Sequence, residues 1–109
     1  KAPLLLCPTL AGQIGPVGQQ GTIDGEPTLS WVTYTPPFNM TGNPAGTVCA
    51  GFTADGMPVG LQVVGPQHAD AVVLRAIAAF EQILDVDSVA PLSWLAETGR
   101  PDAGRSTAT

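Results

Sequence analysis

The chain has 109 residues, a net charge of −5 and a charged fraction of only 12%, about half the roughly 25% of an ordinary soluble domain. Four Lys and Arg against nine Asp and Glu exclude the clustered cations that a nucleic-acid backbone or an anionic membrane surface demands. No run reaches the ~20 apolar residues of a membrane span.

A hydrophobic content of 44% and a mean hydropathy of +0.22 argue against disorder. A small domain has a large surface for its volume and needs more charge, not less. The deficit therefore predicts that protein outside this sequence covers much of the chain. No charged stretch followed by an apolar core opens the sequence, so the default expectation is a cytoplasmic protein. Cys7 and Cys49, the two cysteines, lie in apolar runs and read as reduced thiols packed as small hydrophobes. Two are too few for a disulfide framework. With one histidine and no close cysteine pair, a metal site is not expected, and no cofactor is expected.

In chain order, "PLLLCP" (Pro3 to Pro8) is a short apolar run between prolines, the pattern of a strand covered on both faces. Residues 11–27 are rich in Gly, Gln and Pro without periodicity and read as a long loop. Its glycines are not followed by Lys-Ser/Thr, so it is no phosphate loop. "SWVTYTPPF" (Ser30 to Phe38) ends in a Pro-Pro pair. Each proline disfavours the helical region for its predecessor, which predicts an extended or irregular segment. "TVCAGF" and "VGLQVVG" flank "TADGMP", whose Asp55-Gly56 is a strong turn dipeptide. They predict a β-hairpin within a wider sheet, with Pro58 at a strand entry. Val48, Ala50 and Phe52 are expected on one face, and Val59, Leu61 and Val63 on one face of the second strand. Gly51 and Gly60 suit close approach of another backbone. Val73, Ile77, Phe80 and Leu84 form a single stripe and predict an amphipathic helix over Asp70 to Leu84, with Arg75 and Gln82 opposite. Asp70 favours the helix start. Beyond Pro91 the one anchor is Trp94, and a flexible tail is expected over residues 99–109.

Hydrolytic chemistry needs a nucleophile, a base in reach and an oxyanion site. His68 with Cys7 or Cys49 is a formal pair, but nothing in the sequence brings them together. Asp85 and Asp87 read as a solvated turn. Ser30, Ser88 and Ser93 lack the sharp strand-to-helix context of a nucleophile elbow. The residues alone assemble no catalytic set.

One pattern is more specific. Pro37-Phe38-Asn39, Thr41-Gly42, Pro44-Ala45, Gly56, Pro58-Val59-Gly60-Leu61-Gln62 and Phe80-Glu81-Gln82 follow one another at spacings that resemble the C-terminal part of the amidase-signature family. The earlier "LLLCPT" resembles a strand of that family ending in Thr-Pro-Thr. The resemblance covers most of Pro3 to Gln82. It implies an α/β fold: a β-hairpin within a mixed sheet flanked by one amphipathic helix, incomplete as a standalone domain. Residues 1–98 would form the C-terminal segment of an amidase-signature domain.

The implied activity is hydrolysis of a carboxamide C–N bond by a Ser–Ser–Lys mechanism. The family's serines lie in a Gly/Ser-rich block upstream of this region and its lysine further upstream, so no catalytic residue carries over to this chain, and the chain alone is expected to be inactive. The resemblance places Trp31, Val32 and Thr35 on the wall of the substrate pocket, where an apolar Val32 suits an apolar or aromatic amide; Trp31 reads equally well as core. Phe38, Asn39, Thr41, Gly42 and Pro44 form the structural motif, with Asn39 expected to clamp loop backbone. Cys49 departs from the proline that many relatives carry there. The expected partners are the remainder of an amidase chain, or a second copy through self-association, and a small amide substrate. The competing readings are a short non-catalytic binding or assembly module derived from the same fold, and an independent Cys–His hydrolase.

Overall fold

The computed structural model describes residues 3–86. The segment from residue 87 onward, including Trp94 and the expected tail, lies outside the described residues. Among the described residues, five strands and two α-helices run in the order β1 (Leu5–Pro8), β2 (Thr22–Ile23), β3 (Glu26–Pro27), a 3₁₀ turn (Leu29–Val32), α1 (Pro36–Thr41), β4 (Ala45–Phe52), β5 (Pro58–Val64) and α2 (Asp70–Leu84).

The main sheet has three strands in the order β1-β5-β4, and both pairings are antiparallel. Asp55-Gly56 supplies the β4–β5 turn, with Gly56 at φ 85°. Pro58 opens β5 opposite Phe52, where a missing N–H costs no interior ladder bond. Between Cys49 and Gly51 the register slips by one residue, with Ala50 as the extra. This bulge overturns the expected face. Val48 opposes Leu61 while Phe52 opposes Pro58, so the two side chains leave the sheet on opposite sides. Val48 is buried; Phe52 is half exposed.

Val63, fully buried, lies on the same side of the sheet as Val48, and α2 closes over them. Val73 is buried, and Ile77, Phe80 and Leu84 are half-buried, as the stripe predicts. A Cβ at Gly46 would run into the Ile77 side chain, so glycine there lets the helix lie close on β4. α2 starts without a side-chain cap but carries Asp70 in its first turn, and it ends at Asp85 in the left-handed region.

Three segments differ from expectation. Segment 30–38 is not extended: it forms the 3₁₀ turn and α1, with the Pro-Pro pair in the first turn of that helix. Proline is well tolerated there because that N–H has no helical partner. The loop over residues 11–27 contains the two-residue hairpin β2–β3, turned by Asp24 (φ 51°) and Gly25 (φ 82°) and bridged from Gln13 to Thr22. β1 also differs from a strand covered on both faces. Among the described residues it pairs with β5 alone, and Leu5 and Leu6, on opposite faces, are 52% and 47% exposed. Leu74 and Ile83, on opposite flanks of the buried stripe of α2, are exposed as well. The described sheet and helix thus carry apolar side chains on faces that nothing among the described residues covers.

Candidate functional site

The face of the sheet away from α2 carries small polar residues in register. Cys7 opposes Gln62, which opposes Thr47, and Cys49 opposes Gly60. Thr9 extends β1 by donating its backbone N–H to the Gly60 carbonyl at 3.0 Å. Above Gly60 the Thr9 and Thr47 hydroxyls meet at 2.6 Å. Thr47 also donates to the Leu61 carbonyl at 3.3 Å; a hydroxyl has one proton, so Thr9 is the donor within the pair. Gly60 is thus a point of close approach, but to two side chains rather than to another backbone. Gly51, the other glycine expected in that role, has open space around it and belongs to the bulge.

Beside this pair lies an open groove of about 400 Å³, walled by Leu10, Gln13, Ile14, Cys49 and Val59. At its rim Asp55 accepts a hydrogen bond from the Thr53 hydroxyl. The Cys49 thiol donates to the Gly51 carbonyl, and the Cys7 sulfur accepts from Gln62. Among the described residues no hydrogen bond joins His68 to either thiol, and no group of three His, Cys, Asp or Glu forms a metal cluster. His68 is exposed, with φ 65°. The groove offers walls and hydroxyls, with no nucleophile joined to a base.

The residues expected on a pocket wall are not among those that line this groove. The Trp31 ring packs against Gly21, and its carbonyl accepts from the Ala11 N–H at 2.8 Å. Val32 and Thr35 are half-buried in the same segment, where the Thr35 hydroxyl donates to the Val32 carbonyl. Phe38 is half-buried on α1, and Gly42 caps that helix at φ 71°, a left-handed position that suits glycine. Asn39 is exposed; the side chain that clamps loop backbone is Asn43, whose Nδ2 donates to the Gly65 carbonyl at 2.9 Å. Thr41 orients Asn43 by donating to its Oδ1 at 2.6 Å. Pro44 is half-buried and its carbonyl accepts from the Gly65 N–H.

Sequence reasoning passed over the Thr9–Thr47 pair. The signal was a small polar residue at every second position, Cys7 and Thr9 on β1 and Thr47 and Cys49 on β4, either side of Gly60. It also left Gln62 without a role, although a glutamine among the valines of a central strand needs a partner.

Comparison with known proteins bears on what this arrangement belongs to. A family model described as Amidase matches residues 2–74, well over half of the chain. An acylamidase of Rhodococcus erythropolis is 46% identical over 86 residues, an alignment covering 73% of this chain and 18% of that protein. One component chain of the glutamyl-tRNA(Gln) amidotransferase of Streptococcus equi subsp. zooepidemicus (strain MGCS10565) is 40% identical over 73 residues, covering 65% of this chain and 15% of that one. Among solved structures, a 6-aminohexanoate cyclic dimer hydrolase superposes with a TM-score of 0.67 at 28% identity, over 81% of this chain and 20% of its own. The chain therefore spans a fifth or less of the length of these relatives. Residue motif, matched family model and superposed fold agree: the chain belongs to the amidase family.

Proposed function

We propose that the chain serves as the C-terminal segment of an amidase, supplying strands, a helix and part of the substrate-pocket wall to a hydrolase of linear carboxamides. The observation that carries this reading is the 46% identity to an acylamidase confined to 18% of that protein's length. A stretch so similar and so short is a piece of the enzyme's architecture. The apolar side chains Leu5, Leu6, Leu74 and Ile83, which the described residues leave exposed, support it, because they mark faces suited to further protein.

In this reading the nucleophilic serine, the second serine and the lysine come from outside the chain. The serine attacks the amide carbon, the amine leaves, and water releases the acid from the acyl-enzyme. Trp31, Val32 and Thr35 bound the pocket; a valine beside an indole favours an apolar or aromatic amide. The test is complementation. The chain replaces the matching segment of the Rhodococcus acylamidase, and hydrolysis of a panel of aryl, alkyl and charged amides is measured. Turnover of aryl or alkyl amides is expected, and a fully folded but inactive chimera would overturn the reading. The same exposed leucines also favour self-association of the chain, which a molar-mass measurement in solution resolves.

A further inference from the structure

The motif Pro58-Val59-Gly60-Leu61-Gln62 ends in a side chain with an unusual position. Gln62 sits on the central strand β5 and is 6% exposed. Its Nε2 donates to the Tyr34 carbonyl at 3.0 Å and to the Cys7 sulfur at 3.2 Å. Both amide protons are thereby used, and one anchors a main-chain carbonyl between Val32 and Thr35. At the far end of the same segment Gln67 Nε2 donates to the Thr41 carbonyl at 2.6 Å, and Asn43 reaches back to Gly65.

Apart from the Trp31 ring against Gly21 and the Trp31 carbonyl that accepts from the Ala11 N–H, few contacts fix the segment to the rest of the fold. Neither the 3₁₀ turn nor α1 contains a buried residue, and Leu29 and Met40 are 72% and 86% exposed. A segment that buries little apolar surface opens locally at small cost, so its position depends on the few polar contacts that hold it. A buried amide is also expensive to leave unpaired. The bond from Gln62 to Tyr34 is therefore maintained from both sides.

We propose that Gln62 is a positioning residue: its side-chain amide latches the segment Trp31–Thr35 to the sheet and sets where the pocket wall stands. The consequence for catalysis rests on the pocket-wall reading above; the latch itself does not. Gln62→Glu keeps the shape and loses the donor, and Gln62→Met removes all polarity.

Amide hydrogen exchange on the purified chain separates the latch from a general core role. The expected result is roughly tenfold faster exchange at residues 31–35, the effect of losing about one hydrogen bond, with the β4–β5 amides unchanged. Equal acceleration across the segment and the hairpin, no acceleration, or loss of folding in both variants would assign Gln62 to the core alone and overturn the proposal. In the acylamidase chimera the same substitutions are expected to raise KM for a bulky aryl amide several-fold more than they lower kcat. Selective exchange with no change in KM or kcat would keep the latch and remove the wall. An inactive chimera leaves the exchange result standing and counts against the amidase reading instead.

Discussion

Gly60→Ala probes the best-defined piece of geometry in the sheet. A Cβ on Gly60 would stand 2.6 Å from Thr9 Oγ1, 2.8 Å from Thr47 Oγ1 and 2.9 Å from the Thr9 Cβ. All three lie inside the ~3.5 Å at which carbon meets its neighbours comfortably. The threonines cannot simply withdraw, since β1 and β4 are both held in register to β5. Losing the hydroxyl pair costs about 1 kcal/mol, and overpacking adds about 1–3 kcal/mol. Alanine's advantage over glycine in a strand returns roughly 0.5–1 kcal/mol. The net expectation is a destabilisation of about 2 kcal/mol.

Urea titration of the purified chain, followed by far-UV circular dichroism, reads it as a midpoint lowered by roughly 1–2 M for a slope of about 1–2 kcal/mol/M. In a Thr9→Ala/Thr47→Ala background two of the three clashes are gone, so the same substitution is expected to cost less than half as much. A neutral Gly60→Ala, or an equal cost in both backgrounds, refutes the reasoning.

Three further expectations follow from the backbone and the thiols. Gly42→Ala meets open space apart from Gln67 Nε2 at 3.9 Å, but its φ of 71° strains any side chain; a loss of about 1–2 kcal/mol is expected in the same titration. His68 occupies a left-handed position, φ 65°, without a glycine, so His68→Gly is expected to be neutral or to stabilise by up to about 1 kcal/mol. The third concerns Cys7 and Cys49, which are free and lie on the two strands that flank β5. Strands two places apart are separated by about 9–10 Å, beyond the ~7 Å limit for a disulfide. Thiol titration of the unfolded chain after mild oxidation is expected to find two thiols per monomer and no intramolecular bridge.

The parts legible from sequence are those where one physical pattern dominates. The α2 stripe gave Asp70 to Leu84 because four apolar residues recur on one face, and Asp55-Gly56 with Pro58 placed the hairpin turn and the start of β5. α1 was not legible, because two prolines that disfavour helix for their predecessors also fit a helix's first turn. The same local chemistry serves both outcomes, and the contacts that separate them, such as the bond from Gln67 to the Thr41 carbonyl, come from residues distant in sequence. The β2–β3 hairpin has strands of two residues, too short for any periodicity, although Asp24-Gly25 marked its turn. The bulge at Ala50 broke an alternation that composition cannot see. The motif offers two amides, Asn39 and Asn43, four residues apart, and only the fold decides that Asn43 faces Gly65. The site face was obscured because its signal is spread over three strands, each contributing one or two small polar residues.

The central proposal is that this chain forms a segment of an amidase whose catalytic residues lie outside it. The direct measurement is amide hydrolysis by the purified 109-residue chain beside the same chain set into the Rhodococcus acylamidase in place of its matching segment. The account predicts no turnover above the blank for the chain alone and measurable turnover of an aryl amide for the chimera. Turnover by the chain alone, abolished by Cys7→Ser or Cys49→Ser, would contradict it.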